Sequence, residues 1–107
     1  MLPFSKARRI AETWIAVMTD SGAEIVREAV KAKPHGWIFY YQSSAYLRDP
    51  GNISAALAGN APFMVDRVNG ELRVMGTTPQ LIEQRLSEYE RGLSKADLQS
   101  RPEPPTW

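Results

Sequence analysis

A chain of 107 residues with 43% apolar and 23% charged side chains can bury one modest core and keep it covered, which excludes intrinsic disorder and a second full-sized domain. With 13 basic against 12 acidic residues the net charge is +1, so no strong field recruits nucleic acid or an anionic membrane. Cysteine is absent, which rules out disulfides, thiolate nucleophiles and thiolate metal sites, and the expected compartment is the reducing cytoplasm.

The opening residues Met1 to Lys6 lead into Arg8, Arg9 and Glu12, so neither a signal-peptide core nor a membrane span is expected. From Ser5 to Met18 the apolar positions Ala7, Ile10, Ala11, Trp14, Ile15, Val17 and Met18 recur at helical spacing. Lys6, Arg9, Thr13 and Ala16 fall on the other side. This predicts an amphipathic helix, ended by the turn residues Asp20, Ser21 and Gly22.

Glu24 to Lys31 reads as a strand, Lys33 to Gly36 as a turn, and the aromatic and β-branched run Trp37 to Gln42 as a second strand paired with the first. Ser43 to Pro62 reads as a connection with a helical turn near Ile53 to Ala58. A second hairpin follows, Phe63 to Val68 and Glu71 to Met75, around Asn69-Gly70, whose positive backbone angles suit a tight primed turn. Thr78 caps a final helix with Pro79 at its first position, an apolar stripe of Leu81, Ile82, Leu86 and Tyr89, and Gly92 at its end. The expected organisation is one domain over 1–94 and a polar tail over 95–107, in which Pro102, Pro104 and Pro105 oppose further helix.

The fold class is therefore α+β: an antiparallel sheet of about four strands, in two hairpins, packed against N-terminal and C-terminal helices. Alternation sends Phe63, Val65, Leu72 and Val74 inward under the helices and Met64, Asp66, Arg73 and Met75 to the opposite side. Trp37, Phe39 and Tyr41 share one face of the aromatic strand and Ile38, Tyr40 and Gln42 the other. Both faces thus carry apolar surface, one of them available to a partner.

Convergent catalytic chemistry is not in evidence: one histidine, no Gly-rich phosphate loop and no His-Glu-x-x-His helix. The chain is read as no enzyme, with no cofactor and no metal. His35, between Pro34 and Gly36, is expected to be a solvated turn residue. Asp20, Asp49, Asp66 and Asp97 lie too far apart for spacing to argue a carboxylate pair, and turn and capping roles account for most of them. Lys6, Arg8, Arg9, Lys31 and Lys33 are interleaved with acids and read as solvated surface, with no nucleic-acid partner. Tyr40, Tyr41 and Tyr46 are candidate interface anchors, at least one of them core.

Three segments carry a family resemblance: Gly36-Trp37-Ile38-Phe39-Tyr40-Tyr41, then Leu57 through Asp66 with its Ala58-Gly59-Asn60-Ala61-Pro62 stretch, then Asn69-Gly70-Glu71 running to Gly76-Thr77. Together they resemble the YrhB-like immunity proteins, immunity family thirty-five of bacterial polymorphic toxin systems. The likeness runs from the first helix through Tyr89.

The resemblance implies an α+β protein that binds and blocks a cognate toxin, by occluding its active or substrate-binding site, before the toxin harms the producing cell. A member described as chaperone-like keeps open the alternative of a small protein binding unfolded clients. The motif residues themselves read as scaffold: Gly59, Asn60 and Pro62 shape the entry to a strand, and Trp37 and Phe39 fill core. The toxin-binding surface is then expected on the Tyr46 to Asn52 loop and a sheet face, with Tyr40, Tyr46, Arg48, Asp49 and Asn52 as its residues. Because the chain is not acidic, a basic nuclease steered by charge is disfavoured, and by analogy papain-like and deamidase toxins are the first candidates.

Overall fold

The computed structural model describes residues 1–107. Helix α1 (Phe4–Thr19) buries Phe4, Ala7, Ala11 and Ile15 on one stripe. It ends where Asp20 and Ser21, rather than Gly22, adopt the left-handed conformation, with φ of 54° and 60°. Next come strand β1 (Ala23–Ile25), a 3₁₀ turn at Arg27–Ala29, and strands β2 (Lys31–Lys33), β3 (Gly36–Phe39) and β4 (Tyr41–Ser43).

The first predicted hairpin is thus present but broken in both arms. Between the Ile25–Tyr41 and Lys31–Ile38 pairs one arm runs Val26 to Val30 while the other has only Phe39 and Tyr40. The surplus residues coil into the 3₁₀ turn, and a bulge of this kind bends the ribbon. The bend separates a two-stranded sheet, β1-β4, from the main sheet and turns β1 against α1.

Helix α2 (Ser44–Arg48) and a 3₁₀ turn at Ile53–Ala55 occupy the long connection; the turn falls within the predicted span, α2 outside it. Strands β5 (Phe63–Asp66) and β6 (Leu72–Val74) complete an antiparallel four-stranded sheet of order β2-β3-β5-β6. Their loop is not the tight primed turn expected from Asn-Gly. Gly70 has φ 75° while Asn69 does not enter the positive region. The Asp66 carboxylate accepts from the N–H groups of Val68 (2.7 Å) and Asn69 (3.3 Å), building a wider, side-chain-braced loop.

Helix α3 (Pro79–Arg91) starts as the sequence predicts, with the Thr78 hydroxyl accepting from the Leu81 N–H at 3.2 Å, and stops at Gly92. Helix α4 (Lys95–Gln99), capped by Ser94, is an addition to the expected tail: the prolines that oppose helix begin only at Pro102. The remaining residues lie on the body. The Trp37 indole donates to the Glu103 carbonyl at 2.8 Å, and Arg67 Nη1 donates to the Arg101 carbonyl at 2.9 Å. The Trp107 ring stands edge-on to Phe4 (centroids 5.1 Å apart), with the Arg8 and Arg27 guanidinium groups 4.7 and 4.9 Å from its centroid.

Helices cover both faces of the main sheet. On the α1 side Phe4, Ile25, Trp37, Phe39, Phe63 and Val65 close the larger core, and the alanines of α1 let the helix backbone come near the sheet. Phe39 stacks on Phe63 at 5.7 Å and Phe4 meets Trp37 edge-on at 5.5 Å. On the other side Ile38, Met64 and Met75 pack with Tyr40, Ile82, Leu86 and Tyr89. The face offered by alternation as free is therefore occupied by α3. At Gly36 any Cβ would collide with the Val65 carbonyl oxygen, so the β3–β5 pairing requires glycine there. No helix is long and apolar enough to cross a membrane.

Candidate functional site

Four of the five residues expected to meet a partner lie on one excursion between β4 and β5. Its base is tied down by side chains of the two ends. Gln42 Oε1 accepts from the N–H groups of Leu57 (2.6 Å) and Ser43 (2.8 Å), and Asn60 Nδ2 donates to the Tyr41 carbonyl at 2.5 Å. Gly59, with φ 72°, turns the chain toward Pro62 and β5. Ser43 caps α2 by accepting from the Tyr46 N–H, which seats Tyr46 half-buried at the root of the excursion.

Beyond that root the surface is open. Arg48, Asp49 and Asn52 are exposed, as is Ile53 at 78%. The Asp49 carboxylate accepts from the Gly51 N–H (3.2 Å) and Asn52 Oδ1 from the Ser54 hydroxyl (2.8 Å), so short-range bonds shape the loop. Tyr40 is not part of this group: it is half-buried in the layer under α3, with the Lys31 ammonium 5.7 Å from its ring.

Two further features were not read from the sequence. His35 is 1% exposed, not solvated; its Nε2 lies 3.2 Å from Glu90 Oε1 on α3, and its Nδ1 has no hydrogen-bond partner. The turn that holds it is folded under α3, against the Tyr89 ring at 5.6 Å, a contact between residues too distant in sequence for any local pattern to reveal.

The second is a groove of about 470 Å³ beside the edge strand β6, lined by Arg9, Ile10, Thr13, Trp14 and Val17 of α1 and by Leu72. Ile10, Trp14 and Val17 stand at i, i+4 and i+7, one stripe displaced from the buried one. Sequence periodicity put Val17 and Met18 with the core, yet they are 75% and 57% exposed. The apolar stripe of α1 is wider than the sheet can cover, and the excess forms the groove.

Residues 5–92 match Immunity protein 35. The chain belongs to that family. The matched span takes in nearly all of α1, every strand of both sheets and α3, and stops at Gly92, so α4 and the strap from Arg101 to Trp107 lie beyond it. A relative is the uncharacterized protein YrhB of Escherichia coli (strain K12), 42% identical over 55 residues. The alignment covers 51% of this chain and 56% of YrhB, so the chain spans little more than half the length of this curated relative. No solved structure matches the chain. In the Immunity protein 35 framework the segments that carry the likeness perform structural work: Gly36 admits the Val65 carbonyl, Asn60 ties the excursion to Tyr41, and Asp66 braces the loop before Gly70.

Proposed function

We propose that this chain is an immunity protein that binds one cognate protein toxin and neutralises it by covering the toxin's active or substrate-binding site. The observation that carries the reading is the family match over residues 5–92, which spans the two-layered helix–sheet body. Occlusion asks only for a shaped surface held in place by a rigid scaffold, because preorganised groups bind without further loss of freedom. The excursion between β4 and β5 presents a carboxylate at Asp49 and an amide at Asn52, both held by local hydrogen bonds, a half-buried phenol at Tyr46 and an exposed guanidinium at Arg48. Tyr40, half-buried in the layer under α3, would contribute from the sheet side.

The net charge of +1 gives no acidic field to draw in a basic nuclease, which favours a toxin that modifies proteins, of the papain-like or deamidase type. A chaperone-like role is the second reading, and the exposed apolar side chains Val17, Met18 and Ile53 favour it.

Co-expression in a bacterial host with the polypeptide encoded beside this gene distinguishes the two. Immunity predicts restored growth and a one-to-one complex on purification, weakened at least tenfold in an R48A/D49A variant that folds normally. No toxicity, no rescue and no complex, together with suppressed aggregation of an unrelated protein, would transfer the case to the chaperone-like reading.

A further inference from the structure

We infer that the toxin's point of entry is the free edge of β6 and the groove beside it, and that the occupant is an extended toxin segment in which apolar residues alternate with carboxylates. The inference rests on the immunity reading and adds a second docking surface to the excursion between β4 and β5.

The Asp66 N–H donates to the Glu71 carbonyl (2.9 Å) and the Met75 N–H to the Pro62 carbonyl (2.8 Å), so residues 71, 73 and 75 direct their backbone groups toward β5. Alternation then turns the backbone groups of Leu72 and Val74 outward, at the end of the four-stranded sheet. Arg85 of α3 reaches this edge from the side, donating to the Val74 carbonyl at 3.4 Å. With only the Val74 carbonyl engaged, by a side chain, the remaining outward groups of Leu72 and Val74 are a template for an added strand.

Side chains favour the same occupant. Leu72 lines the groove with Ile10, Trp14 and Val17, so every second residue of an added strand would meet apolar surface. The only charge in that lining is the guanidinium of Arg9, and Arg85 stands at the strand's edge. Neither has a carboxylate within ion-pair distance, whereas Arg73 is already engaged by Glu71 at 3.0 Å. Arg9 lies in the groove on the α1 side and Arg85 reaches the edge from the α3 side, so an added strand would meet one cation without an ion-pair partner on each face, which complements carboxylates on it. A second copy paired antiparallel about Arg73 would set Arg73 opposite Arg73, which is destabilising, whereas a pair centred on Leu72 would set Arg73 opposite Glu71, so self-association is one outcome the test must separate.

The test uses the full chain and the polypeptide encoded by its neighbouring gene, with affinity and backbone amide exchange as readouts. Val74→Pro removes an outward N–H, Val17→Glu puts a carboxylate at a position 75% exposed in the free protein, and Arg85→Glu reverses an edge charge. Each is expected to weaken the complex at least tenfold with the fold retained, and the Leu72 and Val74 amides are expected to exchange at least tenfold more slowly in the wild-type complex. A complex with wild-type protein that V17E and R85E leave unchanged, or that leaves those two amides unprotected, would overturn the inference and spare the immunity reading. Absence of any complex with wild-type protein overturns both. A dimer of the free protein that V17E dissolves would assign the groove to a second copy, against the inference.

Discussion

On the α1 face of the main sheet the buried side chains are large, mostly aromatic and in contact ring to ring, whereas the α3 face is filled by Ile38, Met64 and Met75. The helices differ in the same sense. Four residues of α1 are buried; none of α3 is, although its stripe of Ile82, Leu86 and Tyr89 packs against the second layer. Rigid rings and a close-set helix leave few alternative packings, while methionine side chains adapt to whatever space a helix leaves them. The α1 face therefore specifies the fold. The α3 face behaves as a cover, held by a capped end, a half-buried stripe and the contact of Glu90 with His35.

Substitutions on the two faces should separate them. The largest effect is expected from Phe63→Ala, because that ring stacks on Phe39 and meets Trp14 at 6.4 Å. A loss of about 3–5 kcal/mol is expected in urea unfolding, enough to leave the chain partly unfolded at physiological temperature. Met75→Ala, on the opposite face, is expected to cost about 2 kcal/mol, the lower end for such truncations, because neighbouring methionine and half-buried helix side chains can settle into the space. Equal costs at the two sites would end the distinction between a specifying face and a cover.

The smallest effect sharpens the comparison. Thr78→Ala removes the cap of α3 and is expected to cost about 1 kcal/mol. Amide exchange in Pro79–Arg91 should remain faster than in Phe4–Thr19, in both the wild-type protein and this variant, because α3 opens locally before the core does. Identical rates in the two helices would mean that α3 unfolds only with the whole domain.

How far the sequence could be read followed the range of the interaction concerned. The limits of α1 and α3 were legible because periodicity and end residues act within a few positions: Thr78, Pro79 and Gly92 stand where the helix begins and ends. The division of Ile38 and Met64 from Trp37, Phe39, Phe63 and Val65 was legible because alternation is a property of the strand itself. Helix α2 was missed because five residues carry too little periodicity to register, and its Ser43 cap looks like any loop serine. Of the expected site, Tyr46, Arg48, Asp49 and Asn52 do share one excursion, but Tyr40 lies under α3, since neighbouring strand residues alternate between faces.

From sequence alone came the α+β class, both hairpins, the two long helices and a family likeness that the match over residues 5–92 bears out. These depend on local spacing and on residues that make turns, and such signals do not need the rest of the chain. Only the tertiary structure decided that α3 covers the second sheet face, that His35 is buried against Glu90, and that Trp107 lies between Arg8 and Arg27. The same holds for the groove beside β6: how much of an apolar helix stripe remains exposed is set by the width of the sheet it packs on, which no pattern within the helix records.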